Sequence, residues 1–296
     1  MKCTWYVGGL WVVLIVMMVG TSQPTFARPS GTDTPIRIGL SSQLFDDQAR
    51  NQILDQMKPF TEKVQKQVGT PSEFVIVDDL KSMARQLNDK SLQMAVMSGL
   101  DYGWIKPLCP DIRALLTTSI EGGVLKTVLL VKKDATWQSN QQLKSQSLAM
   151  PQRTPNYVKF FLEQETKQTM SAYYQLLECR NVDEAIEAVI DGKAAATAVS
   201  ASAMDVFKER KPGRFNRLKV LMESDAFPAP VVVYQAKNAN EKQIEKFAEA
   251  LLRADDSTEG KQMLTLWRLR GFVKLPADFE THVDRIVKKY PSTLKP

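Results

Sequence analysis

Met94-Ala95-Val96-Met97-Ser98-Gly99-Leu100-Asp101-Tyr102 is the stretch from which the fold of this chain can be read. Four apolar residues in a row read as a short strand buried on both faces, the kind found inside parallel sheets. Ser98 then offers a hydroxyl cap, Gly99 lets the backbone approach a neighbour closely, and Asp101 three residues on completes a capping box. A strand that passes directly into a capped helix is the building unit of βαβ folds.

The same unit recurs outward in both directions. Upstream, 36–40 reads as a strand and 48–68 as a helix with Ile53, Met57, Phe60 and Val64 at 3–4 spacing, which Pro59 splits or kinks. Residues 74–77 form a second strand, and 80–87 a helix capped by Asp78 or Asp79. Downstream, 112–116 is a fourth strand. A second series then begins, with strands at 124–131, at 148–150 ending on Pro151, and near 173–177. A helix over 156–165 lies between the last two. Asn181 and Glu184 start another helix, which stops at Gly192. Residues 195–199 are a strand, 201–208 a helix, and 211–213 a turn. Strands at 218–222 and 231–234 close the series. After them the pattern is helical, with Asn240 capping a helix to Leu252 and further helices over 258–269 and 277–288.

The expected class is therefore α/β, with two parallel-rich mixed sheets in two lobes and a helical C-terminal section. Lobe one is expected over 35–122 plus 232–296 and lobe two over 123–231. Two extended crossings between them suggest a hinge, and a cleft between lobes is a common ligand site.

Composition narrows the chemistry. The chain has 296 residues and a net charge of +6, from 39 basic and 33 acidic residues. That mild excess suits an anionic partner but falls far short of a nucleic-acid-binding tail. A single histidine, His282, leaves histidine-built zinc sites and Ser-His-Asp triads almost nothing to work with. The segment 1–27 has the layout of a secretory signal peptide: Lys2, an apolar run of about 15 residues, then Thr25-Phe26-Ala27 as a cleavage site. That run is shorter than the ~20 residues a spanning helix needs, and an uncleaved anchor is the alternative. Residues 28–34 read as a polar linker. Loss of Lys2 with the signal lowers the charge to +5. Cys109 and Cys179 would remain, either paired or as two buried thiols.

Ligands of open parallel sheets bind beyond the carboxyl ends of the strands, where helix N-termini suit anions. Four such ends here carry hydroxyl or amide side chains. They are Ser42-Gln43, Ser98-Gly99 with Tyr102, Arg153-Thr154 with Asn156-Tyr157, and Ser200. Thr154 followed by Pro155 reads as a hydroxyl cap with proline at the first helical position. Each of these residues also has a purely structural reading, as a cap or a turn. It is their recurrence at every expected sheet end that points to a binding site.

The order of several segments is similar to the phosphate, phosphite and phosphonate-binding family of periplasmic substrate-binding proteins, the ligand-capturing components of ABC importers. The resemblance runs over 36–279 and is carried by Ile36-Arg37-Ile38-Gly39-Leu40, by Leu92 to Tyr102, by Val182 to Ala196, by Ser224 to Pro230 and by Gly271-Phe272-Val273. It implies a type II-like two-lobed fold with a hinge and export to the periplasm. It also implies a small anionic ligand, phosphate, phosphite or a phosphonate, and an ABC permease as partner. No cofactor, no metal and no nucleic acid is expected, and the protein is expected to be a monomer without enzymatic activity. The ligand would be held by Ser42, Gln43, Ser98, Gly99, Tyr102, Arg153, Thr154, Asn156, Tyr157 and Ser200. The chain departs from the family at Arg153-Thr154-Pro155-Asn156, where a Ser-x-Ser-Gly helix start is usual. It departs again at Ser200-Ala201, where an acid that engages an amine or a protonated phosphonate is usual. The alternatives are a ligand-sensing module for a membrane sensor and, against the scarcity of histidine, a biosynthetic enzyme on the same scaffold.

Overall fold

Alternation along the first strand assigns its faces. β1 (Ile36–Ser41) buries Ile36, Ile38 and Leu40 together against α1 (Arg50–Val68), whose Ile53, Met57, Phe60 and Val64 form one stripe. The computed structural model describes residues 35–45, 50–120, 125–267 and 269–292. The expected signal over 1–27, the linker over 28–34 and the first two residues of the 48–68 helix lie outside the described residues. α1 runs through Pro59 as a single span. β2 (Ser72–Val77), α2 (Leu80–Asn88), β3 (Met94–Met97), α3 (Gly99–Ile105) and β4 (Ile112–Ile120) follow. Asp79, not Asp78, caps α2, accepting from the Ser82 N–H at 2.8 Å. β3 is buried at all four positions. Met94 and Val96 face the α1 side, while Ala95 and Met97 face the α2 and α3 side.

The second half repeats the scheme. Its elements are β5 (Thr127–Lys132), β6 (Ser147–Pro151), α4 (Asn156–Thr166), α5 (Met170–Tyr173), β7 (Gln175–Cys179), α6 (Val182–Ile190), β8 (Ala196–Ser200), α7 (Ala201–Arg210), α8 (Pro212–Phe215) and β9 (Leu218–Glu223). The chain then returns through β10 (Val231–Gln235), α9 (Glu241–Leu252), α10 (Thr258–Leu266), β11 (Leu269–Lys274) and α11 (Phe279–Lys289). Among the described residues one sheet has the order β11-β4-β10-β3-β1-β2 and the other β7-β6-β8-β5-β9. β1 is parallel to β2 and β3, and β6 is parallel to β7 and β8. β10 is antiparallel to β3 and β4, and β5 to β8 and β9, so both sheets are mixed. The fold is thus two-lobed and α/β.

Three sequence readings need correction. The return section is not all helical: 269–274 forms β11, which pairs antiparallel with β4 at the sheet edge. Its exposed Arg270, Val273 and Lys274 gave it no strand-like apolar alternation. Residues 212–215 are a short helix, not a turn, and Tyr173 ends α5, so that β7 starts only at Gln175. Cys109 and Cys179 are both free and buried, and burial pushes the Cys109 thiol up to about 11.

The two crossings between the sheets lie side by side. Phe227 N–H donates to the Leu125 carbonyl at 2.8 Å, and Ser224 N–H to the Thr127 carbonyl at 2.9 Å. Thr118 N–H and the hydroxyls of Thr117 and Thr118 all reach the Pro230 carbonyl. α11 grips the same segment. A ring nitrogen of His282 lies 3.1 Å from the Ala226 carbonyl, Lys289 pairs with Asp225, and Tyr290 packs on Phe227 at 5.0 Å. One apolar cluster is continuous across the lobes, joined by Trp104 on Phe160 at 4.4 Å, and Tyr157 packs on Phe227 of the return crossing at 5.2 Å.

Gly99 is where the return crossing passes closest to α3. A Cβ there would stand 2.4 Å from Pro228 Cβ and 2.8 Å from the Ala229 carbonyl oxygen. Gly99→Ala is therefore expected to destabilise the fold by ~1–3 kcal/mol. The readout is a lowered urea midpoint at unchanged slope; an unchanged midpoint would show that the segment moves aside freely.

Candidate functional site

Four strands end at the boundary between the sheets, and local chemistry decides what each end presents. β1 runs into a single 3-10 turn, Ser42–Leu44, which carries Gln43. At the end of β3, Ser98 Oγ accepts from the Asp101 N–H at 3.0 Å and caps α3. At the end of β8, Ser200 Oγ accepts from the Ala203 N–H at 3.1 Å and lies 3.2 Å from Ser202 Oγ. α4 differs from these. Its N-cap is Pro155, and no side chain caps its first turn.

These ends converge on a cavity of about 680 Å³. Gln43, Ser98 and Asp101 reach it from the first sheet, and Asn156, Tyr157 and Ser200 from the second. Phe45 and Trp267 line it as well and meet edge to face at 5.3 Å. Five of the ten predicted ligand residues, Gln43, Ser98, Asn156, Tyr157 and Ser200, therefore share one space. A second cavity of about 340 Å³ is lined by Ser42, Arg153 and Thr154, with Gln43 and Pro155 common to both. Lys159 adds a second cation there, opposite Asp78.

The remaining predictions are corrected by packing. The Tyr102 hydroxyl donates to Glu280 at 2.8 Å and its ring stacks on Phe279, so this side chain is engaged with α11 and lines neither cavity. Burial, with the Glu280 carboxylate beside it, holds the phenol well above its ordinary value. Gly99 serves the close approach of Pro228 and Ala229 described above and lines neither cavity. Thr154 is not the cap of α4. Its hydroxyl donates backwards to the Pro151 carbonyl at 2.7 Å, and the residue is buried. The Ser98–Asp101 capping box is only half formed, because the Asp101 carboxyl gives no bond back to the Ser98 N–H.

From the sequence Asp101 reads as a capping partner that would oppose an anion if it faced one. It is 1% exposed, it lines the large cavity, and neither carboxyl oxygen has a hydrogen-bond partner. Burial raises its pKa to about 6. Ser98 and the Asn156 side chain oppose the shift from nearby, without reaching the oxygens in hydrogen-bonding geometry. The sequence reading also missed Asp205, Lys208 and Glu209 of α7, which line the same cavity. Their 3–4 spacing after the Ser200 cap puts them on one helical face, and this was the available signal. Trp267 is half-buried at the end of α10 and lines the cavity.

A sequence profile of the periplasmic substrate-binding proteins of phosphonate ABC transporters matches residues 44–278. No curated protein sequence matches the chain. Among solved structures, a Xanthomonas citri protein bound to chloride is 14% identical with a TM-score of 0.68, covering 86% of this chain and 96% of its own. PhnD1 of Prochlorococcus marinus in complex with methylphosphonate is 14% identical with a TM-score of 0.62, covering 86% and 97%. A binding-protein component of a phosphonate ABC transporter from Pseudomonas aeruginosa is 15% identical with a TM-score of 0.60, covering 88% and 90%. At these identities the structures share the fold with this chain.

The buried Asp101 carboxyl makes stability depend on pH with a definite sign. Its folded pKa of about 6 lies above the ordinary 3.8, so between these values the folded chain holds a proton that the unfolded chain has released. Stability from this group is full below about pH 4 and is lost as pH rises through about 6, by ~3 kcal/mol. Asp101→Asn removes the dependence and is expected to be the more stable protein above pH 6. Urea titrations of both proteins across this range check it; parallel stability profiles would refute it.

Proposed function

The chain belongs to the family of periplasmic substrate-binding proteins of phosphonate ABC transporters, and from that premise we propose that it captures a small phosphorus oxyanion in the interlobe cleft for an ABC importer. Phosphate, phosphite and alkylphosphonates are the candidate ligands. The observation that carries this reading is the N-terminus of α4, which has no side-chain cap and opens through Asn156 and Tyr157 onto the large cavity. The positive end of a helix dipole there favours an oxyanion. Ser98, Ser200 and Gln43 add polar side chains around the same space, and Arg153 and Lys159 supply positive charge in the adjoining cavity.

Membership of a solute-binding family makes binding, not turnover, the expected activity. The N-terminal segment 1–27 fits an export signal cleaved after Ala27, delivering the chain to the periplasm. Among the described residues no helix is long and apolar enough to cross a membrane. On this reading 35–122 with 232–296 forms lobe one, 123–231 forms lobe two, and the two close on the ligand as a monomer.

Calorimetric titration with phosphate, phosphite and methylphosphonate tests the assignment. At least one should bind well below millimolar concentration, and a heat-silent result with all three at roughly millimolar levels would sink it. Asn156→Asp should weaken binding by about tenfold or more, because a fixed carboxylate then occupies the anion's place at the α4 N-terminus. The same substitution favours the helix itself, so the fold is expected to persist.

A further inference from the structure

The cavity between the lobes is larger than a small oxyanion needs, and its far side is not lined for one. An ion of five non-hydrogen atoms fills on the order of 150 Å³, at about 30 Å³ for each water-sized group. The cavity holds about 680 Å³, within the ~300–1,000 Å³ typical of sites for larger organic ligands. Strand order says where the surplus lies. β3 and β4 are both antiparallel to β10, which stands between them, so β4 runs parallel to β3 about 10 Å to its side. The polar Ser98 follows β3, whereas β4 ends at Ile120, which pairs with Leu269 of β11. Trp267, just before that strand, meets Phe45 edge to face at 5.3 Å. Together with Leu266 these residues give the cavity an apolar wall. Ile120 and Trp267 pack on the lobe-one core yet stay half-buried, as does Leu266.

Apolar surface left open inside a ligand cavity is covered when the ligand brings apolar surface of its own. An inorganic ion or a methyl group brings almost none. The two ends of the cavity differ in what they accept: the polar strand ends and the start of α4 have no apolar face for a carbon group, and the Phe45–Trp267 wall has little for an oxyanion. A ligand that fills both must therefore be amphipathic. The aromatic pair favours a ring over a chain, because a third ring placed against it gains contact geometry beyond the area it buries. We propose that the ligand is an aryl phosphonate or an aryl phosphate monoester, with its phosphoryl group at the start of α4 and its ring against Phe45 and Trp267. This deepens the function proposed above and rests on it. The shared chemistry is a planar ring joined to phosphorus directly or through one oxygen. The second lobe contributes α7, whose exposed Asp205, Lys208 and Glu209 line the same cavity, so the ring is covered by lobe one and left polar surroundings by lobe two.

Calorimetry with methylphosphonate, phenylphosphonate, phenyl phosphate and cyclohexylphosphonate tests this on wild type, Trp267→Ala and Trp267→Phe. Wild type should bind the better of the two phenyl compounds about tenfold or more tighter than methylphosphonate. It should bind cyclohexylphosphonate about threefold or more weaker than phenylphosphonate. Phenylphosphonate ahead of phenyl phosphate assigns the phosphonate, and the reverse order assigns the ester. Trp267→Ala should shrink the phenyl-to-methyl ratio to within about threefold, and Trp267→Phe should keep most of it. A wild type that binds methylphosphonate as tightly as both phenyl compounds overturns the proposal and leaves the oxyanion reading intact. An undiminished ratio in Trp267→Ala also overturns it, since the ring then lies elsewhere. So does cyclohexylphosphonate binding as tight as that of phenylphosphonate. Binding of none of the four overturns both readings. Should Trp267→Ala fail to fold, the heat capacity of binding to wild type serves instead. Phenylphosphonate should give a more negative heat-capacity change than methylphosphonate, because it buries more apolar surface; equal values refute the assignment.

Discussion

The return of β10 into the first sheet is the constraint on which the rest of the molecule depends. Val231, Val232 and Val233 are fully buried between β3 and β4, so the chain must come back from the second lobe through the middle of the first. The two crossings are thereby forced to run together, pinned by Leu125 with Phe227 and by Ser224 with Thr127. Two sheets tied by a double crossing cannot separate or slide far. The strand ends beside the crossings are brought to face one another. The cleft is thus a consequence of strand order. Gly99 belongs to the same constraint, since a side chain there would wedge the return crossing away from α3.

An apolar cluster that runs through both lobes sits beside these crossings. Trp104 on Phe160 is a contact between the two lobes, worth ~0.5–1.5 kcal/mol beyond its buried area. Tyr157 is shared between that cluster and the cavity wall. A ligand seated at the start of α4 is therefore coupled to interlobe packing through the residue next to it. The residues lining the cavity thus sit on the ends of rigid elements.

Local chemistry was legible in the sequence and distant packing was not. Asp79, Asn181, Ser98, Ser200 and Asn240 each cap the helix that follows, because a cap is decided by residues three apart. β3 was readable because burial on both faces leaves an unbroken apolar run. Tyr102 was not, since its orientation is decided by Glu280, 178 positions away. β11 escaped for the same reason: its strand character comes from the edge of β4, not from its own half-exposed residues. Thr154 was misplaced by one residue, because Pro155 takes the extended cap position itself and Thr154 turns back to Pro151. In the site, the hydroxyl and amide residues at the strand ends were recognisable, while the acids opposite them were not. A carboxylate on a helix ordinarily reads as a cap or a solvated face, and only burial distinguishes Asp101 from that.

The basic excess of the whole chain misleads about the cleft. Net charge is +6, yet the large cavity is lined by Asp101, Asp205 and Glu209 against Lys208. An anion held there cannot depend on bulk attraction, which is screened within about 10 Å at ordinary salt. It has to be held by fixed dipoles and neutral donors, with the nearest cations, Arg153 and Lys159, in the adjoining space. Such an arrangement costs affinity for anions in general.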